Sequence, residues 1–423
     1  MVCHLPSSRA CWPRAQHGQA ALILVIMFGI GALLYIASLG NSASATAARL
    51  SETERTMQNV KQALIGWSVA RGSGTGTARP GELPCPDTDG PQDFPTVYGH
   101  EQGTCAAGRI GRVPWKTLGI PEPKDEYGET LWYAVSGPFR RTAGNEINSD
   151  TKGTLTVYQA SSALSLTTEA IAVIFASGPA VESQSRNTSI SFCSTTSTNL
   201  PRNRCAANYL EATGGVNNAN NGGPFISAQQ SDTFNDRSIV ITTTDLIPQV
   251  EQRVARDILS VLQRYKANSG CNCYPWPDLS TGQSDPGLNR GRIPGFELLS
   301  PAPYASPVEW GSGGAPTLPE WFINNGWRRI VYYSVARTST EGGGSLCWSC
   351  TANTLTMNSS SGIEVVLIMP GAAGAGRPVG ASTWTDWRPY IDDNENNNYF
   401  SENDVFITPT STAASRDRVF TIP

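Results

Sequence analysis

Cysteine, histidine and clustered acidic side chains are the groups in this 423-residue chain that could do chemistry, and their spacing limits what that chemistry is. The histidines are His4, His17 and His100, too few and too scattered for a multi-histidine metal site. A Ser-His-Asp triad would have to use His100, which lies in a turn-rich stretch. No Gly-rich loop followed by Lys-Ser or Lys-Thr occurs, and no dinucleotide-binding fingerprint. Paired carboxylates can cleave a glycosidic bond, but no spacing singles out a pair. The chain is read as a non-enzyme, with a secreted hydrolase using an unrecognised site kept as an alternative.

The ten cysteines carry more information. Cys3 and Cys11 precede a long apolar block, and eight follow it: Cys85, Cys105, Cys193, Cys205, Cys271, Cys273, Cys347 and Cys350. An even number on the far side of such a block points to disulfides in an oxidising compartment. Local pairing would join Cys85 to Cys105 and Cys193 to Cys205, and the last four could pair as 271/273 with 347/350. Sequence leaves that connectivity open. A four-thiolate zinc site on the last four is the competing chemistry. Hard oxygen ligands for calcium gather at Asp87 and Asp89, and again at Asp392, Asp393 and Glu395. Neither set has the alternation and terminal Glu of a twelve-residue calcium loop, so solvated acidic turns compete with it. Asp236 and Asp417 each precede an Arg at the start of a strand, where a carboxylate can bond turn backbone.

These groups must be positioned by the elements around them. The apolar block runs over residues 20–39, with Arg9 and Arg14 before it and no acidic residue until Glu52. About 20 apolar residues span a bilayer as a helix, and basic flanks stay cytoplasmic. A plain membrane anchor would suffice, as would a secretory signal cut near Ala43-Ser44-Ala45, although the block is long for a signal core. The chain after it is Ala-, Glu-, Gln- and Lys-rich with no Pro up to Arg71, which favours continued helix. Val60, Leu64 and Trp67 fall on one face of it. With 41 Gly, 29 Pro and only 16% charged residues, the remainder reads as a loop-rich β protein. The formal net charge of −4 argues against nucleic acid as a partner over the whole surface.

Beyond the first helix the same landmarks occur twice, in one order. Val254, Ile258, Val261, Leu262 and Tyr265 mark a second amphipathic helix. Tyr274-Pro275-Trp276-Pro277-Asp278 answers Leu83-Pro84-Cys85-Pro86-Asp87, and Gly291-Arg292-Ile293-Pro294 answers Gly111-Arg112-Val113-Pro114. The aromatic strand around Tyr332 and Tyr333 aligns with the one around Trp132 and Tyr133. Tyr390-Ile391-Asp392 answers Tyr209-Leu210-Glu211, and Asp417-Arg418 answers Asp236-Arg237. The period is too long for a solenoid, so the pattern predicts a tandem duplication.

A short basic leader ending at Gly18, an apolar helix that starts at Gln19 and runs on into a globular part, and a helix-then-sheet order together resemble the type IV pilin and type II secretion pseudopilin class. The resemblance implies an α+β fold: a leader over 1–18, a transmembrane and stem helix over 19–71, and pilin-like helix-plus-antiparallel-sheet modules over 72–247 and 250–423. It implies cleavage after Gly18 by a prepilin peptidase, methylation at Gln19, and assembly with other pilins through the helix. An inner-membrane assembly platform is a further implied partner. Gly29 and Gly31 would allow close helix approach. The usual Glu at the fifth mature position is here Ile23, a departure shared by tip-like minor pilins, so a minor subunit that initiates assembly or mediates adhesion is expected. Trp384 and Trp387 are candidate adhesive aromatics, with a core role as their alternative. Calcium is the one cofactor implied. Before assembly the protein would be a single-pass inner-membrane protein with its N-terminus inside, and afterwards a periplasmic or extracellular filament component. A membrane-anchored extracytoplasmic binding protein outside any filament is the runner-up.

Overall fold

The computed structural model describes residues 48–72, 78–88, 97–141, 146–181, 184, 186, 205–268, 272–278, 289–294, 317–339, 353–373, 377, 388–397, 403–409 and 415–423. The chain divides into two units, Met1–Arg55 and Thr56–Pro423. Of the first, residues 48–55 are described and helical; this helix, α1, runs to residue 70.

Two runs of like elements make up the second unit. After α1 come β1 (Ile110–Arg112), the short α2 (Trp115–Leu118), β2 (Trp132–Val135), β3 (Leu155–Gln159), β4 (Ser161–Ala170) and β5 (Ala172–Ala176). A small hairpin, β6 (Ala212–Thr213) and β7 (Val216–Asn217), precedes β8 (Phe225–Ser227) and β9 (Arg237–Ile241). Then α3 (Thr243–Asn268) starts the second run, followed by β10 (Arg290–Arg292), α4 (Glu320–Asn324), α5 (Trp327–Ile330) and β11 (Tyr332–Val335). The run closes with β12 (Leu355–Met357), β13 (Ser360–Ile363), β14 (Val365–Met369), β15 (Val405–Phe406) and β16 (Arg418–Ile422).

The sheets of the two runs match strand for strand. One four-stranded sheet has the order β1-β2-β5-β9 and the other β10-β11-β14-β16, all antiparallel. Each run adds a three-stranded sheet, β4-β3-β8 or β13-β12-β15, with one parallel pair. Register repeats as well: Arg112 lies opposite Trp132, and Arg292 opposite Tyr332. The Pro-rich segments cross just outside β1 and β10, where Asp87 and Arg112, and Asp278 and Arg292, exchange backbone hydrogen bonds at 2.6–2.9 Å. That crossing explains the Gly-Arg motif. A Cβ at Gly111 would sit 2.3 Å from the Asp87 carbonyl oxygen, and one at Gly291 2.6 Å from that of Asp278.

Alternation along the strands places the core. Tyr133, Val135, Ile174, Tyr333, Val335 and Leu367 point inward, against Met57, Val60, Leu64 and Ile65 of α1 and Val254, Ile258 and Leu262 of α3. The intervening residues Trp132, Val173 and Phe175, or Tyr332, Val366 and Ile368, point outward beneath the three-stranded sheets and their loops. Both faces of each large sheet are therefore covered, which is why β2, β5, β11 and β14 are buried along their whole length. The two helices run in parallel side by side: Lys61 bonds Asp245 at 2.8 Å, and the Arg253 guanidinium donates to the Val69 carbonyl at 3.2 Å.

Two expectations are corrected. The fold is mixed helix and sheet assembled from several small sheets, and both helix-and-sheet halves share one core inside Thr56–Pro423. It is not a membrane-spanning helix leading into two tandem modules. Among the described residues no helix is long and apolar enough to cross a membrane, which overturns the single-pass inner-membrane location. The physical reason is amphipathicity: α1, the described part of the helix expected over 19–71, buries Met57, Val60 and Leu64 but also carries Arg49, Glu52, Glu54, Arg55 and Lys61. The block over 20–39, with Gly18, Gln19, Ile23, Gly29 and Gly31, lies outside the described residues. So do Asp89, Cys193, Cys271, Cys347, Cys350, Trp384 and Trp387.

Candidate functional site

Among the described residues, the reactive side chains singled out in the sequence do not converge on one site. His100 is exposed in its turn. Cys85 and Cys105 are joined by a disulfide with Cα atoms 5.7 Å apart, which staples the Pro-rich crossing to the loop before β1. Cys205 and Cys273 are disulfide-bonded too. Beside the first bridge is a cleft of about 240 Å³ lined by Thr88, Gln102, Thr104, Cys105, Ala106 and Arg109. Among the described residues its lining presents no carboxylate, histidine or free thiol; the hydroxyls of Thr88 and Thr104 are among its polar groups.

Charged groups do gather at the outer end of each large sheet, in equivalent places. Arg112 is buried with its guanidinium 4.9 Å from the Trp132 ring and 4.8 Å from the Tyr209 ring, and Arg186 stacks on Tyr209 from its other contact at 4.8 Å. In the second run Arg377 covers Tyr390 at 5.4 Å. Stacking keeps an Arg charge acceptable among aromatic rings. Arg186 and Arg377 each donate to carbonyls just past the third strand of the large sheet, Gly178 in one case, Pro370 and Gly371 in the other.

Next to these stacks stands the aspartate that begins each last strand. Asp236 is 2% exposed; its Oδ2 accepts the Glu211 N–H at 2.9 Å and the Asn218 amide at 3.0 Å. Glu211 Oε2 accepts the N–H groups of Asn235 and Asp236, while Gln184 donates to its Oε1 at 2.6 Å. Burial, then the Glu211 charge, pushes Asp236 well above the usual carboxylate range. In the second run Asp417 Oδ2 accepts the N–H groups of Asp392 and Asp393 at 2.9 and 3.0 Å. Burial first, then the charges of Asp392 and Asp393, pushes it up to about 7. Asn218 and Asn396 complete the likeness: each side chain bonds both the N–H and the C=O of one residue, Ile226 or Ile407.

Among the described residues, the expected calcium ligands Asp87, Asp392, Asp393 and Glu395 hold hydrogen bonds or ion pairs within this framework. Asp392 is paired with Arg416 at 3.2 Å, Asp393 Oδ1 accepts the N–H groups of Glu395 and Asn396, and Glu395 accepts from Asn403. Asp87 is buried at the first crossing, where its Oδ2 accepts the Gly99 N–H at 2.6 Å. Among the described residues no three His, Cys, Asp or Glu side chains are grouped to hold a metal ion.

A second polar cluster joins the two runs. Segment 146–151, between β2 and β3, docks on the second run: the Asn325 Oδ1 accepts the Ile147 N–H at 3.1 Å and an Arg79 N–H at 3.2 Å. Asn148 donates to the Asn325 carbonyl at 2.7 Å, and Arg377 holds Asp150 at 2.7 Å. The fully buried Glu251 of α3 accepts the Ser149 hydroxyl at 2.5 Å and Arg418 at 2.7 Å. Reading the sequence missed Glu251, Asn325 and Asn218. A polar residue on an otherwise apolar helix stripe, as Glu251 is, was the one available signal.

Chemically, the carboxylates at the ends of the last strands can hold a proton and fix loops. Reaching a substrate is another matter, because loops and the three-stranded sheets cover them. No family model, no curated protein and no solved structure matches the chain.

Proposed function

We propose that the chain is a structural subunit of the type IV pilin or type II secretion pseudopilin class, a minor subunit at the tip of a filament, and not an enzyme. One observation carries the reading: a helix laid on an antiparallel sheet through Met57, Val60, Leu64 and Ile65, with the same plan repeated from α3 onward. The leader ending in Gly18 supports it from the sequence, and Ile23 in place of the usual Glu favours a subunit with nothing above it. Burial of the carboxylate clusters agrees with a framework role for them.

Mass spectrometry of the mature N-terminus tests this. A methylated Gln19 is expected, and Gly18→Ala should leave the full-length chain uncut and outside the filament fraction. An intact Met1 in the wild type, or a start at Thr46, would overturn the proposal.

A further inference from the structure

We propose that Glu211 and Asp236 form a proton-operated latch that holds the segment from Tyr209 to Phe225 over the first large sheet, and that loss of the Asp236 proton releases it.

The geometry begins with two carboxyl groups buried together. Asp236 is 2% and Glu211 7% exposed, each carboxyl group accepts the other residue's main-chain N–H, and Asp236 Oδ1 is buried with no hydrogen-bond partner among the described residues. Two neighbouring carboxylates repel, so such a pair is stable when one of them holds a proton. Among the described residues the hydrogen-bond partners of the pair are neutral: Asn218, Gln184 and the backbone N–H groups of Glu211, Asn235 and Asp236.

Charged groups on the surrounding elements are committed elsewhere. Arg237, next on β9, pairs with Glu126. Arg186 lies 3.4 Å from Glu129 and donates to the Gly178 and Asn208 carbonyls. Asp125 takes the N–H groups of Tyr127, Glu129 and Gly178. The second run differs at this point, since Arg416 sits on Asp392 and supplies a cation there.

What the latch holds is an aromatic cover. Tyr209, Leu210 and Phe225 pack on Trp132, Val173 and Phe175, the outward face of the first large sheet. Trp132 meets Tyr209 at 5.1 Å between ring centroids, and Phe175 meets Phe225 at 5.2 Å. When base takes the Asp236 proton to solvent, a second buried charge stands beside Glu211 and the repulsion acts between β9 and the Tyr209–Asn218 loop. Release would uncover a face of aromatic rings while the inner core stays intact.

The sign follows from the raised value of Asp236: the latched state is complete at acidic pH and is lost as pH rises through its folded value. Hydrogen exchange of the purified full-length protein across a pH series, corrected for the intrinsic exchange rate, is the test. Peptides covering 209–227 should lose at least about tenfold of their protection with rising pH, while those of β2 and β5 keep theirs. Asp236→Asn keeps a neutral group in place and should make the 209–227 protection independent of pH, whereas Glu211→Gln removes the neighbouring charge and should move the loss to lower pH, because burial still raises Asp236. Constant protection in the wild type, or equal pH dependence in wild type and variants, would overturn the latch, as would simultaneous loss in β2 and β5. If both variants misfold, the wild-type series alone decides.

Discussion

Asn325→Ala is the perturbation that bears most directly on how the two halves cohere. Asn325 is 3% exposed and belongs to the second run, yet its side-chain oxygen serves Ile147 and Arg79 of the first. Alanine keeps the main-chain carbonyl that accepts from Asn148, and the main-chain N–H that reaches Trp321. What it removes is the acceptor for the N–H of Ile147, a residue with no solvent exposure, one of the partners of Arg79, and the side-chain amide's own bond to the Trp321 carbonyl. A buried donor left without a partner costs about 1–3 kcal/mol, and the second bond brings the loss to about 2–4 kcal/mol. Against a total of about 5–15 kcal/mol, that is a large fraction. Urea unfolding of the full-length protein, followed by far-ultraviolet circular dichroism and by tryptophan fluorescence, should show a lower midpoint in one coincident transition. Coincidence is expected because α1 and α3 pack into a single core. A change under about 0.5 kcal/mol, well short of a stranded donor, would refute the reasoning. So would two separate transitions.

Other consequences follow from the same contacts. The Tyr133 and Tyr333 hydroxyls donate to the Pro84 and Pro275 carbonyls at 3.2 and 3.0 Å, so Tyr133→Phe and Tyr333→Phe should each cost about 1 kcal/mol in thermal unfolding, by similar amounts. Replacing Cys85 and Cys105 together by Ser opens a loop with a sequence separation of 20 and should cost about 3 kcal/mol, seen as a lower denaturation midpoint. Asp417, raised from an ordinary 3.8 to about 7, contributes stability that is complete below 3.8 and is lost as pH rises through about 7. The ceiling on that loss is about 4 kcal/mol. Asp417→Asn, measured with EDTA present, should flatten the decline between those values, and an unchanged slope would refute the assignment.

Local pattern was enough to read several elements. Val254, Ile258, Val261, Leu262 and Tyr265 all lie on the buried stripe of α3, because a 3.6-residue period survives whatever the helix packs against. The helix begins earlier than that stripe suggests, at Thr243, with Asp245 accepting the Thr242 N–H; Pro248 inside it hid the first turns. The aromatic strands and the Gly-Arg crossings were likewise legible, since a sheet buried on both faces demands apolar residues in succession and a crossing backbone demands glycine. Trp67, placed on the buried face of α1 by spacing, is only half-buried and stacks with Arg71 at 4.6 Å instead.

Tertiary structure alone decided the rest. Asp236 and Glu211 are 25 residues apart, Glu251 and Ser149 102, and Asn325 and Ile147 178. No local propensity relates groups at such separations; only the folding of two like halves onto one core brings them together. The sequence by itself determined the repeated order of helix, crossing and strands, because each of those follows from near neighbours along the chain. Which carboxylates are buried together, which asparagine joins the halves, and that the halves have a common interior were settled by packing, since burial and pairing are properties of the assembled fold.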